Sequence, residues 1–264
     1  MGIPVIGCTC SVCTSESPCN QRFRPSGLLT INQKKILIDC GPDFRNQALK
    51  HSINHLDGII LTHAHHDHVA GIDELRVFYM RQKQPIPCLL SHETTTDLRT
   101  RFHYIFKDLN PANTVTSRLD LQILEGHRGT TQFLGFPIKY FSYEQAGMHV
   151  NGFRIGNFAY VSDIRKYPNT IFEDLQGVDI LVLSALRFEP TPFHLGIDEA
   201  IAFANKVGCQ HTWLTHIAHE LDHEKTNEYL PPNVRMAYDG LEISFLPDFL
   251  LDKDSSNDPK RQTR

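Results

Sequence analysis

Short runs of uninterrupted apolar residues, separated by polar or glycine-bearing turns, dominate the pattern along this chain. KKILIDC (34–40), DGIILT (57–62), IPCLLS (86–91), FPIKYFS (136–142), FAYVSD (158–163), DILVLSAL (179–186) and HTWLTH (211–216) each read as a strand. RMAYDGLEISF (235–245) reads as one more, broken by a turn at Asp239–Gly240. Several are apolar at every position, which predicts burial on both faces. Helical periodicity is rarer and strongest in GIDELRVFYMRQ (71–82), LGIDEAIAFANKVG (195–208) and TTTDLRTRFHYIFKD (94–108). In the second of these, Ile197, Ile201 and Ala204 share a face, and Gly208 stands where a C-terminal cap belongs. There is no internal repeat and no clear linker. The pattern predicts one α/β domain over residues 1–251, followed by a polar, disordered tail at 252–264.

Composition narrows the class. The chain has 264 residues, 41% hydrophobic and 21% charged, as an ordinary globular domain has. No apolar run approaches the roughly 18 residues of a membrane span, and MGIPVIGCTC lacks the basic start of a signal peptide. The expected location is cytoplasmic. A net charge of -4 argues against nucleic acid as the main partner, and Arg99, Arg101 and Lys107 read as a solvated helix face. Seven cysteines, four of them (Cys8, Cys10, Cys13, Cys19) crowded at the start, and 15 histidines favour metal binding over disulfides. Cys40, Cys88 and Cys209 read as core.

The densest chemistry is GIILTHAHHDHVAG (58–71). Imidazole and carboxylate are ligands for zinc or manganese. In an extended segment residues two apart face the same side, so His63 and His65 can converge on one ion. Asp67 and His68 lie a turn further on, where they can face a second ion, while His66 points elsewhere. CTCSVC places Cys8, Cys10 and Cys13 close enough to wrap a tetrahedral zinc, given a fourth ligand.

The histidine cluster, together with ILIDCGPDFRNQ, FAYVSD, HTWLTHIAH and YDGLEI, resembles the metallo-β-lactamase superfamily, in its PhnP-like phosphodiesterase branch. The resemblance runs to about Phe245 and implies an αββα sandwich with a dinuclear site at one edge. It implies that Asp163 bridges both ions and that His216 completes the second, with Asp67 and His68. It makes His219 the fourth ligand of a structural zinc on Cys8, Cys10 and Cys13. His194, in PFHLG, matches the histidine placed near the phosphate as general acid or phosphate contact, and Asp39 orients a ligand from behind. The implied reaction is attack of a metal-bound hydroxide on a small cyclic phosphate ester, with Asp67 and His194 as catalytic residues.

The sequence departs from the branch at two places. The third histidine expected for the first ion is missing: Gln145 or Ala146 falls there, and His149 comes three or four residues late. The first ion is left with His63, His65, Asp163 and, as a neutral ligand, Gln145. The family's first N-terminal strand also has no counterpart before GIPVIGC: either residue 1 is internal to a longer protein, or one sheet lacks an edge and its neighbouring strand is exposed. Two rival readings are a degenerate member resembling PqqB, with a biosynthetic or binding role, and a nuclease resembling tRNase Z. The expected partner is a small phosphodiester, not a membrane; a homodimer is left open, as is zinc against manganese.

Overall fold

A computed structural model of the chain describes residues 2–106, 116–245 and 247. The expected tail at 252–264, the end of the 94–108 helix and Lys107 lie outside them. Twelve strands are described: β1 Gly27–Ile31, β2 Lys34–Ile38, β3 Gly58–Ile60, β4 Ile86–Leu90, β5 Leu119–Ile123, β6 Arg128–Phe133, β7 Phe136–Gln145, β8 Met148–Ile155, β9 Phe158–Val161, β10 Ile180–Ser184, β11 His211–Thr215 and β12 Val234–Met236. The α-helices are α1 Phe44–Lys50, α2 His66–Val69, α3 Arg76–Gln82, α4 His92–Arg101, α5 Ile171–Asp174, α6 Ile197–Val207 and α7 His223–Tyr229. None is long and apolar enough to cross a membrane.

The strands form two sheets, ordered β1-β2-β3-β4-β5 and β12-β11-β10-β9-β8-β7-β6. In the first, only β1 and β2 are antiparallel; in the second, β9 to β12 are parallel and β6 to β9 antiparallel. The sheets face each other across Ile36, Ile38, Ile60, Ile138, Phe153 and Tyr160. The outer face of the first packs on helices through Leu37, Ile59, Leu61, Phe78 and Leu98. That of the second does so through Leu181, Leu183, Ile197, Phe203 and Leu214. These two outer layers explain why β3 and β10 are buried at every position, as their unbroken apolar runs predict. Each such Leu or Ile stabilises the fold by about 1.5–3 kcal/mol. The result is the expected αββα sandwich.

Two expectations shift. The 235–245 run forms strand only at Val234–Met236; beyond it Asp239 turns its carboxylate to the Phe23 N–H, and Gly240 takes a left-handed φ of 93°. The helix expected from Gly71 begins as a 3-10 turn, Ile72–Leu75, before α3. Among the described residues no strand flanks β1 on its free side. There Leu28 is exposed, and an open groove of about 740 Å³ runs past Tyr160, Trp213, Ile243 and Phe245.

Candidate metal centre

The parallel strands end on one side of the sandwich, and four of those ends deliver polar residues to the crevice there. This is the usual place for a site in such a sheet. β2 delivers Asp39, β3 leads into His63 and His65, β9 leads into Asp163, and β11 into His216. α2 carries Asp67 and His68 back over the crevice. Its turn is laced to the end of β2 by Cys40 N–H to the His68 carbonyl (2.7 Å) and Gly71 N–H to the Cys40 carbonyl (2.8 Å). Two glycines permit that approach: a Cβ on Gly41 would stand 2.2 Å from the Asp67 carbonyl oxygen, and one on Gly71 would stand 2.1 Å from that of Gly41. From the other sheet Asn151 donates to the Thr62 carbonyl through its backbone (2.9 Å) and its side chain (3.2 Å).

Inside the crevice three donor groups overlap. His63, His65 and Asp163 bring ligand atoms together, as do Asp67, His68 and His216, and Asp163, His194 and His216. His63 Nε2 lies 3.0 Å from His65 Nδ1 and 3.6 Å from Asp163 Oδ2. His216 Nε2 lies 3.2 Å from Asp67 Oδ2 and 3.3 Å from Asp163 Oδ1, while His68 Nε2 lies 3.5 Å from Asp163 Oδ2. Asp39 fixes His68 from behind, accepting from its Nδ1 at 2.7 Å and from the Thr62 hydroxyl at 2.8 Å. That leaves His68 Nε2 buried, turned to the carboxylates and without a hydrogen-bond partner. A buried orphan of this kind suits an ion.

The electrostatics agree. Burial opposes ionisation of Asp163, but the imidazoles of His216 and His68 outweigh it and hold the carboxyl well below its usual range. Asp67 is likewise lowered: burial opposes it most, but the hydrogen bond with His216 and the charges of His68 and His216 together outweigh burial. Burial lowers His63 and His65, so both present neutral nitrogens. His68 goes the other way: Asp163 and Asp39 overcome burial and raise it, so an ion arriving there displaces a proton.

His194 joins the same crevice. Its nitrogen lies 3.2 Å from Gln145 Nε2 and its ring stacks on His216 at 4.9 Å. The Thr191 hydroxyl accepts from its backbone N–H at 2.9 Å, just before α6 begins. Burial pulls its pKa down to about 4.

Behind His216 lies a second group. The sulfurs of Cys8, Cys10 and Cys13 stand 3.2, 3.5 and 3.5 Å from one atom, His219 Nδ1, close to the edge lengths of a tetrahedral zinc site. The Cys13 N–H and His219 lower the Cys10 thiol to about 6, toward the thiolate a metal needs. Cys19 is not in the group; Cys40, Cys88 and Cys209 are buried, as expected.

Comparison with known proteins bears on the same residues. Residues 34–217 match the model of the beta-lactamase superfamily domain. A solved diphosphatase of the PhnP family superposes with a TM-score of 0.85, at 34% identity over 94% of each chain. The chain belongs to the PhnP family of the beta-lactamase superfamily. Zn(2+)-bound PqqB from Methylobacterium extorquens shares the fold at 17% identity, covering 92% of this chain and 96% of its own, with a TM-score of 0.73. An octanoyltransferase of Porphyromonas gingivalis (strain ATCC BAA-308 / W83) is 32% identical over 245 residues, 91% of this chain. The chain spans only 49% of that protein's length.

Within this PhnP-family chain the third-histidine position is now placed. β7 and β8 pair Gln145 with Met148 across a two-residue turn, Ala146–Gly147, with φ of 51° and 79°. Gln145 is therefore the inward residue and Ala146 sits in the turn. His149 faces out, its Nδ1 3.1 Å from Glu93 Oε2, and His66 is exposed. Arg101 is exposed on α4, as expected, with Asp97 3.5 Å from its Nη2, and its Nη1 also donates to the Ala64 carbonyl, between His63 and His65. Arg99 stays on the helix surface with its guanidinium over the Phe106 ring. Sequence reasoning missed Asn151, Gly41 and Gly71, whose roles depend on contacts far along the chain.

Proposed function

We propose that this chain is a metal-dependent phosphodiesterase acting on a small cyclic phosphate ester, such as a ribose cyclic phosphate. The observation that carries this reading is one carboxylate, Asp163, set between two histidine-and-carboxylate groups with His194 beside it. When bound there, two divalent ions (zinc or manganese) offset phosphoryl charge and supply a nucleophile from water near neutral pH. His63, His65, Asp67, His68, Asp163 and His216 hold them. Asp39 and Thr62 keep the imidazoles aimed. With its pKa near 4, His194 is uncharged at neutral pH until substrate arrives. A phosphoryl anion beside it raises its proton affinity, so the ring can hydrogen-bond the phosphate and protonate the leaving oxygen. The Arg101 guanidinium adds a positive charge at the rim. The thiolate group with His219 holds a structural zinc that braces His216.

A linear diphosphate ester is the second reading, favoured by the PhnP-family diphosphatase that superposes over nearly the whole chain. The test is hydrolysis of bis(p-nitrophenyl) phosphate, then of ribose cyclic phosphates and diphosphate diesters. Turnover is expected to need zinc or manganese and to stop with chelator. His194→Ala is expected to lower kcat by about 10²- to 10⁴-fold while metal content stays constant. Metal-replete protein that turns over none of these esters refutes the reading.

A further inference from the structure

We propose that the two halves of the centre bind metal unequally. Asp67, His68, His216 and Asp163 keep their ion at rest, whereas His63 and His65 with Asp163 form a weak, exchangeable site suited to an oxygen-preferring ion such as manganese(II). The proposal rests on the metal-dependent reading above, though not on its substrate.

Gln145 is the reason. It is buried at the end of β7, and its Nε2 donates to Asp163 Oδ2 at 3.1 Å. That oxygen lies 3.6 Å from His63 Nε2 and 3.5 Å from His68 Nε2, whereas the second half also has Oδ1, which faces His216 at 3.3 Å. The amide N–H therefore competes for the carboxylate lone pair that an ion on His63 and His65 needs. The other end of the amide, Oε1, is buried with no hydrogen-bond partner. Turning the amide over would aim Oε1 at Asp163 Oδ2, two acceptors in contact, which only a cation between them permits. An ion in this half thus gains a neutral carbonyl oxygen and breaks a hydrogen bond to a charged group. An imidazole in the same place would gain the ion a stronger donor. Two imidazoles, one carboxylate and a carbonyl oxygen suit manganese(II) or iron(II) better than zinc.

The other half differs in its donor set. Asp163 Oδ1 there accepts from the Ser162 hydroxyl at 2.9 Å and His216 Nε2 is hydrogen-bonded to Asp67 at 3.2 Å, but its fourth ligand is a carboxylate and not an amide, and Asp39 holds the His68 ring. His216 Nε2 already faces both carboxylates, at 3.2 and 3.3 Å. Two imidazoles and two carboxylates make a complete four-donor set.

The test is a metal count on the full chain, purified without chelator and dialysed against metal-free buffer. Two ions per chain are expected, one on the thiolates and one on Asp67, His68, Asp163 and His216. Titration with manganese(II), followed by loss of its free paramagnetic resonance signal, is expected to fill one further site. Gln145→His is expected to retain three ions through the same dialysis and to bind the last manganese about tenfold or more tightly. Wild-type chain that retains three ions, or retains none on the histidines, overturns the proposal. So does a folded Gln145→His chain with unchanged count and manganese affinity. If that variant does not fold, the wild-type count and titration decide alone. Because the readout is metal and not turnover, an inactive chain with the expected counts fails the substrate reading and leaves this one standing.

Discussion

Asp39, Asp163 and His216 sit at left-handed φ of 59°, 51° and 59°, a region costly for residues other than glycine. All three follow the ends of strands, and the left-handed step is what turns each side chain into the crevice. Asp39 touches no other candidate ligand than His68, so its role is to hold that ring. Asp39→Ala is expected to weaken metal at the His68 half by about 10- to 100-fold, measured by competition with a chelator of known affinity. Unchanged affinity would show that packing alone fixes His68. At this scale the sequence was legible where ligands are neighbours: His63, His65, Asp67 and His68 declare themselves by spacing. Asp163, His216 and His219 lie about a hundred or more residues further on, and only the family resemblance linked them to the cluster. Spacing left Gln145 and Ala146 equivalent, because which one points inward depends on the register of a two-residue hairpin.

Among elements, the decisive contact is the one between the end of β2 and the turn into α2. Gly71→Ala would place a methyl group 2.1 Å from the Gly41 carbonyl oxygen, against backbone that cannot rotate away. The expected cost is about 3 kcal/mol, as for a severe overpacking, seen as a lower urea midpoint together with lost metal on the histidines. A variant with wild-type midpoint and metal content would show that the turn can shift freely. The strands that were legible are β3, β4, β9 and β10, buried at nearly every position, together with β2, β7 and β11, whose runs are apolar enough to stand out. β1 and β5 lie at or near an edge, and β6 alternates exposed and half-buried positions before Phe133, so their runs carry too little apolar character to stand out. In α1 only Phe44 is buried, which leaves no apolar stripe to read.

Across the whole molecule, the N-terminal loop is fastened to the last third of the chain behind the metal centre. Asn20 donates to Asp222 at 2.8 Å and accepts from the His223 N–H at 2.9 Å; Phe23 N–H reaches Asp239; the three cysteines meet His219. At the middle of this seam Arg22 is buried, with one guanidinium nitrogen on the Ala237 carbonyl and the other 2.9 Å from His223 Nδ1. A guanidinium can only donate, so Nδ1 must accept and cannot carry a proton. Burial first, and the Arg22 charge second, therefore lower the His223 pKa, against smaller opposing effects of Glu224 and Asp222. The sign follows. Above about pH 6.5, His223 is neutral in both folded and unfolded chains, and the seam contributes in full. Below it the unfolded chain takes up a proton that the folded chain resists, so stability falls as pH drops toward the lowered folded value. His223→Gln removes that proton. Other histidines titrate over the same range, so the comparison must be between variants: the fall in urea midpoint from pH 7.5 to 5.5 is expected to be smaller in His223→Gln than in wild type. Equal falls would mean that the seam opens, or that Arg22 swings away, before His223 is charged.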